Sequence, residues 1–327
     1  KEFVYLKRQI KPELARKAVE GVEGVYLERE YHRFYPAGEV VSHVLGFTDI
    51  DNVGREGLEL VYQDWLKAWS GKHQILRNRK GEVVEEISQV EAARPGKDLY
   101  TSIDMRLQYI TYRSLAKAIK YHDAKSGSAV LLDAKTGEVL AIANQPSYNP
   151  NQRKGKSAAG RRNRAITDVF EPGSTIKPFT IAAALDKELY NQNSRVNTTP
   201  GYMKVTGFPI RDFSNYGTLD LAGILRKSSN VGASKIALSM QAPDLWKAFK
   251  SYGFGEHPGV SFPASSAGYF NHYSNWQPLD QATMAFGYGL SVSTLQLARS
   301  YALFANEGRL QYVSLIRLDK AQASSIV

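Results

Sequence analysis

One stretch limits what this chain can fold into more than any other: Asp168-Val-Phe-Glu-Pro-Gly-Ser-Thr-Ile-Lys-Pro-Phe179. Pro172-Gly173 stops whatever precedes it, and Ile181-Ala-Ala-Ala-Leu185 supplies strong helix formers behind it. A helix is therefore predicted to start at this turn, with Ser174 and Lys177 on its first turn. Residues three apart share a face, so the lysine amine can reach the serine hydroxyl. A serine is a weak nucleophile that needs a base beside it. A lysine kept neutral by burial or by a second cation can be that base.

Spacing alone does not make this a site. Two common residues three apart arise by chance about once in a chain of this length, and Ser114-Leu-Ala-Lys117 is a second copy. That copy falls inside a helix predicted from Met105 to Tyr121, with no turn to present the hydroxyl, and reads as ordinary helix surface. A further piece is Lys227-Ser-Ser-Asn-Val-Gly232, between helix-like runs at Leu219–Leu225 and Ala233–Leu238. Ser228 and Asn230 on such an interhelical turn could relay a proton and hydrogen-bond a peptide amide. Ser147-Tyr-Asn149 repeats the pattern in a Pro-rich loop.

The length, 327 residues, allows two domains, each with its own core. With 43% hydrophobic and 23% charged residues, disorder is not the dominant state. The net charge of +10 admits nucleic acid, anionic lipid or acidic polymers as neighbours without choosing among them. The basic run Arg153–Arg164 lacks interleaved aromatic residues, so it reads as a solvated loop and nucleic acid is not expected. The absence of cysteine excludes disulfides, thiolate zinc sites and a cysteine nucleophile. The six histidines show no metal-binding spacing, so neither metal nor cofactor is expected. No run of 18 apolar residues and no signal peptide at Lys1 is present.

In chain order, residues 1 to about 30 are predicted as a charged helix, with Val4, Leu6, Ile10, Leu14 and Ala18 at loosely helical spacing. A helix carrying Leu60, Trp65 and Trp69 follows, then a hairpin from Gln74 to Ile87 broken at Lys80-Gly81. Arg94-Pro-Gly-Lys97 is the domain boundary candidate, a polar Pro-Gly linker. Beyond it come a strand at Leu99–Ile103, the helix Met105–Tyr121 capped by Asp104, and a hairpin of Ser128–Asp133 with Glu138–Ala143 across Lys135-Thr-Gly137. After Ser174 the chain reads as mostly helical, with turn-rich connectors at Asn191–Thr199 and Ser261–Gly268.

Ser-x-x-Lys followed by Ser-x-Asn belongs to the motif set of penicillin-binding proteins and serine β-lactamases. The chain resembles a class B penicillin-binding protein, most closely the division-specific D,D-transpeptidase of Gram-negative bacteria. Arg33-x-Tyr-Pro-x-Gly, His43, Gly46-Phe47 and Gly54-x-Glu-Gly-Leu-Glu59 resemble that family's N-terminal pedestal. Ser126–Val130, Asp133–Ala141 and Pro146–Pro150 resemble the start of its transpeptidase domain. The most specific matches are Arg162–Pro178 and Lys227–Gly232, with Phe286-Gly-Tyr-Gly-Leu290 and Leu295–Ala298 completing the set.

The resemblance implies an α+β fold: a pedestal over residues 1–96, then a transpeptidase domain over 97–327 with an antiparallel sheet flanked by helices, as in serine β-lactamases. It implies Ser174 as nucleophile, Lys177 as base, and Ser228 and Asn230 as proton relay and substrate anchor. Glu171, Phe213, Tyr288 and Gly289 are implied at the pocket edge, on the substrate side. The family's third motif, Lys-Thr/Ser-Gly, should follow Gly289 and its helix. None occurs there before Val327, and Lys135-Thr-Gly137 and Lys125-Ser-Gly127 precede Ser174, so family order makes them decoys. The C-terminal part of the domain is thus expected to be missing, leaving a chain that is by itself inactive and poorly folded.

The implied activity is cross-linking of peptidoglycan stem peptides during septal wall synthesis, through a serine acyl-enzyme that β-lactams also form. Alternatives are a D,D-carboxypeptidase or β-lactamase-like acyl hydrolase, and a non-catalytic division scaffold. Implied partners are the septal glycan polymerase and other division proteins. An N-terminal anchor outside this chain would tie the body to the periplasmic face of the inner membrane.

Overall fold

The structure is a computed structural model that describes residues 4–79, 83–152, 160–318 and 325–326. It divides into two compact units, one of Lys1–Leu99 with Ser147–Arg161, the other of Tyr100–Pro146 with Arg162–Val327. Arg94-Pro-Gly-Lys97, expected as a polar linker at the domain boundary, is hydrogen-bonded into the first unit, which ends at Leu99. Trp69 and Arg94 exchange backbone N–H···O bonds of 2.8 and 2.9 Å, and the Lys97 N–H donates to the Trp65 carbonyl at 3.0 Å. The Lys97 ammonium lies 4.3 Å from the Trp65 ring centroid. A Cβ at Gly96 would collide with the Leu66 carbonyl, so this glycine permits a close approach.

The segment Ser147–Arg161, expected with the transpeptidase domain, packs into the first unit. Tyr148 is buried with its ring edge-on to His43 and Phe47, and its hydroxyl donates to the Ser42 carbonyl at 3.0 Å. Asn151 and the Tyr35 backbone exchange hydrogen bonds of 3.0 and 2.9 Å. A buried aromatic ring contributes about 1.5–3 kcal/mol, which outweighs continuity along the chain. The Ser147 hydroxyl meets Ser42 and donates to the Glu39 carbonyl, so this Ser-x-Asn copy is structural. Most of the basic run at 153–164 lies outside the described residues.

Within the first unit the expected long N-terminal helix is only Pro12–Val19. Gly21 and Gly24, both at positive φ, carry the chain out of helical conformation. The helix expected through Leu60, Trp65 and Trp69 is two short ones, Gly57–Val61 and Gln63–Leu66, and Trp69 lies beyond both. The hairpin pairs Lys72–Arg77 with Val83–Glu91, antiparallel as predicted; its tip at Lys80-Gly81 lies outside the described residues. Other pedestal letters converge: Arg33 pairs with the buried Glu59 at 3.0 Å, and the Tyr35 hydroxyl accepts from the Thr48 N–H. Burial pushes the Glu59 carboxyl up, and Arg33 opposes it.

In the second unit the helix Met105–Tyr121 forms as predicted, and the Asp104 carboxylate accepts from the N–H groups of Arg106 and Leu107. The hairpin of Gly127–Leu132 with Val139–Gln145 also forms. Its turn holds Lys135-Thr136-Gly137, with the first two N–H groups donating to Asp133 and Gly137 at φ 77°, so these motif letters are turn chemistry. Leu99–Ile103 is not a strand; Thr101 alone forms a bridge, with Ile316. Residues 195–220, read as connector and helix, hold Arg195–Asn197, Tyr202–Val205, Phe208–Arg211 and Thr218–Asp220 in two antiparallel pairs. The positive-φ glycines Gly201, Gly207 and Gly217 turn the chain there.

The expected antiparallel strand pairing appears, among the described residues, as short antiparallel ladders. The largest has three strands in the order Tyr269–Phe270, Leu290–Ser293, Val169–Phe170. The core gathers Ile176, Phe179, Ala183, Ile224, Ile236, Phe249 and Phe254. The rings of Tyr252, Phe254, Tyr301 and Phe304 surround Phe179. Among the described residues no helix is long and apolar enough to cross a membrane.

Candidate active site

Gly173 takes φ 59°, and residues Gly173–Ile176 form one 3₁₀ turn before the helix Lys177–Asp186. Ser174 therefore sits on a tighter turn than the α-helical one predicted, still one turn before Lys177. Pro178 stands in the first helical turn, where its missing N–H has no intrahelical partner to lose. The turn is pinned from behind. Ile176 and Phe179 are fully buried, and the Tyr301 hydroxyl donates to the Thr175 carbonyl at 2.6 Å. The Gly173 N–H donates to the Gly287 carbonyl at 3.1 Å. Gly287 has φ 92°, and a Cβ there would collide with the Gly173 backbone. The glycine is required at this contact.

Lys177 is 1% exposed, and its Nζ lies among four oxygens: Ser174 Oγ at 2.9 Å, Ser228 Oγ at 2.8 Å, Ser228 O at 2.6 Å and Asn230 Oδ1 at 2.8 Å. The Ser228 and Ser174 hydroxyls are 2.9 Å apart, closing a triangle of two hydroxyls and an amine. An ammonium has three N–H bonds, fewer than the oxygens around it. A neutral amine would donate to two and accept the Ser174 proton with its lone pair. Burial pushes the Lys177 amine down to about 8, opposed by the charge of Asp212. That places a usable fraction of free base near neutral pH.

Ser228 ends the helix Leu221–Lys227 in the left-handed conformation, φ 53° and ψ 43°, a geometry that side chains other than glycine and asparagine adopt at a cost of about 1 kcal/mol. The strain turns both its carbonyl and its hydroxyl onto Lys177. Ser229 then caps the helix Asn230–Leu238, its hydroxyl accepting from the Gly232 N–H. The Asn230 amide donates to the Arg211 carbonyl at 3.1 Å, which leaves its oxygen to face Lys177.

Ser174, Lys177, Ser228 and Asn230 are thus brought into one hydrogen-bonded group. Glu171 and Gly289 also meet, the glycine N–H donating to the carboxylate at 2.9 Å. Phe213 and Tyr288 stay outside that group. The Phe213 ring is 98% exposed, and Tyr288 is 52% exposed with its ring edge-on to Phe286. Sequence reasoning missed Asp212, whose oxygens take the Ser229 hydroxyl at 2.6 Å and the Val231 N–H at 2.9 Å. It missed Tyr301 as well. No spacing rule links either to the serine motifs. Among the described residues no group of three or more His, Cys, Asp or Glu could hold a metal ion.

This geometry can be set beside known proteins. Residues 127–325 match the penicillin binding protein transpeptidase domain, and residues 1–101 match the penicillin-binding protein dimerisation domain. The chain belongs to the penicillin-binding protein transpeptidase family. It is 45% identical to the probable peptidoglycan D,D-transpeptidase PenA of Neisseria meningitidis, over 96% of this chain and 54% of the relative. It is 42% identical to the peptidoglycan D,D-transpeptidase FtsI of Escherichia coli, over 97% of this chain and 54% of the relative. This member of the family spans about half the length of those curated relatives.

A solved transpeptidase domain, that of penicillin-binding protein 3 from Burkholderia pseudomallei in its apo form, superposes with a TM-score of 0.63 at 42% identity. The match covers 71% of this chain and 66% of that one. The fold is accordingly a dimerisation-type pedestal followed by a transpeptidase domain of mixed helix and sheet.

Proposed function

We propose that this chain supplies the nucleophile's side of a peptidoglycan D,D-transpeptidase that cross-links stem peptides in septal wall synthesis. In this reading residues 1–96 serve as pedestal and 97–327 as the transpeptidase domain, apart from Ser147–Arg161, which packs with the first unit. One observation carries the reading: a buried lysine amine 2.9 Å from Ser174 Oγ, with Ser228 and Asn230 each within 2.8 Å of the same nitrogen.

In the forward step neutral Lys177 takes the Ser174 proton as the serine oxygen attacks the carbonyl carbon of the D-Ala-D-Ala bond. Ser228 passes that proton to the departing amine of D-Ala, while Asn230 holds the substrate amide. The Ser174 N–H serves as one oxyanion donor. An amine of a neighbouring stem then displaces the serine oxygen, forming the cross-link. Glu171 fixes the Gly289 backbone at the pocket edge, and the exposed Phe213 and Tyr288 rings face the substrate side. β-Lactams acylate the same oxygen. Partners in this reading are the septal glycan polymerase and other division proteins. The body stands on the periplasmic face of the inner membrane, tethered by an anchor outside these residues.

The test is labelling of the full-length protein with a fluorescent penicillin, with Ser174→Ala as control. Label that depends on Ser174 is expected. Its absence would sink the enzyme reading in favour of a scaffold. Release of hydrolysed penicillin at catalytic rates would instead make the protein an acyl hydrolase.

A further inference from the structure

We propose that Asp212 is a positioning residue that couples the Ser228–Asn230 turn to Lys177, by hydrogen bonds to the turn and by its charge. The inference rests on the transpeptidase reading above. Asp212 leaves the strand Phe208–Arg211 with its own N–H fixed to the Gly201 carbonyl at 2.9 Å. Its two carboxylate oxygens are divided between neighbours of the motif. Oδ2 accepts from the Ser229 hydroxyl at 2.6 Å and Oδ1 from the Val231 N–H at 2.9 Å. Val231 lies in the first turn of the helix Asn230–Leu238, where N–H groups lack intrahelical partners and an anion is favoured.

The residue before it completes the clamp, since the Arg211 carbonyl accepts the Asn230 amide. Arg211-Asp212 therefore holds Ser229, Asn230 and Val231 from one side. The strained Ser228 is held from the other side by Lys177. Ser229, fully buried between the two motif residues, is the point where the carboxylate grips the turn.

The charge of Asp212 reaches Lys177, while other charged groups on the surrounding elements are engaged elsewhere. Lys235 donates to the Asn197 carbonyl, Lys187 pairs with Asp244, Lys250 pairs with Glu256, and Lys227 lies over the Tyr216 ring. Glu171 accepts from Gly289. Arg211 lies over the Tyr202 ring, and Asp186, Lys247 and Arg226 on the neighbouring helices are exposed. Asp212 stabilises the protonated amine against burial. Removing its charge must therefore lower the pH at which the free base appears.

The experiment follows acylation of Ser174 in the full-length protein by a fluorescent penicillin as a function of pH. It compares wild type with Asp212→Asn, Asp212→Glu and Ser229→Ala, each checked for a cooperative melt. Asp212→Asn is expected to move the rising limb of the profile to lower pH by about half to one unit and to lower the plateau. Ser229→Ala and Asp212→Glu keep the charge and disturb the clamp, so the plateau should fall several-fold with the limb in place. A limb unmoved in Asp212→Asn overturns the proposal. If that variant does not fold, a plateau unchanged in both Asp212→Glu and Ser229→Ala overturns it. No Ser174-dependent label in the wild type at any pH would overturn the transpeptidase reading itself, a failure visible before any variant is made.

Discussion

Ser114-Leu-Ala-Lys117 and Ser174-Thr-Ile-Lys177 have the same spacing and opposite surroundings. The first pair lies mid-helix with both residues exposed. The second straddles a 3₁₀ turn and the start of a helix, with its lysine sealed among four oxygens. Helical spacing brings a hydroxyl and an amine to one face in both cases. It does not bury the amine, and an exposed lysine head stays in water. What separates the two copies is supplied from elsewhere in the chain: Gly287 behind the turn, and Ser228 with Asn230 across from it.

The largest expected effect tests that contrast directly. Ser174→Ala should abolish covalent penicillin labelling, and Ser114→Ala should leave it at the wild-type rate, read as protein mass shift against time. Next comes the base. Lys177→Met should slow acylation by about 10²–10⁴-fold, the usual contribution of general base catalysis, while Lys117→Met should leave it unchanged. Equal slowing by both lysine variants would break the comparison.

The glycine behind the turn has its own counterpart. Gly287 and Gly207 both take positive φ, at 92° and 89°. A Cβ at Gly207 meets open space, whereas one at Gly287 runs into the Gly173 backbone. Gly207→Ala should therefore cost about 1 kcal/mol from backbone strain alone. Gly287→Ala should cost more than about 3 kcal/mol and slow acylation, because the nucleophile's turn must shift. Denaturant melts and labelling rates measure both. A smaller effect is the pH dependence: with the Lys177 amine at about 8, acylation should rise through that pH and level off above it. The sign follows from the free amine being the active form. A rate that falls between neutral pH and 9 would remove lysine as the base.

Legibility followed locality. Asp104 with Met105–Tyr121, the Lys135–Gly137 turn, and the two helices flanking Ser228 were readable because capping residues, turn glycines and helix formers act within a few positions. The Asp212 clamp, the Tyr301 hydroxyl and the return of Tyr148 to the first unit were not. Each depends on a partner far along the chain, and a single carboxylate or tyrosine carries no periodicity. The N-terminal helix is shorter than its spacing suggests for local reasons: Gln9 takes φ 53° before it, and Gly21 and Gly24 take positive φ after it.

The smallest effect compares a helix cap remote from Lys177 with one beside it. Asp104 caps the helix that carries Ser114, accepting from Arg106 and Leu107. Ser229 caps the helix that carries Asn230, accepting from Gly232. Asp104→Ala removes two accepted N–H bonds, and Ser229→Ala removes the Gly232 N–H bond and the one donated to Asp212, so each should cost about 1 kcal/mol of stability or somewhat more. Only the second cap is joined to Lys177 by the residues on either side of it. Asp104→Ala should lower the melting midpoint and leave the acylation rate alone, whereas Ser229→Ala should lower both. If Asp104→Ala slowed acylation to the same degree, the site would be responding to general loosening of the unit. The distinction between the two lysines would then rest on burial alone.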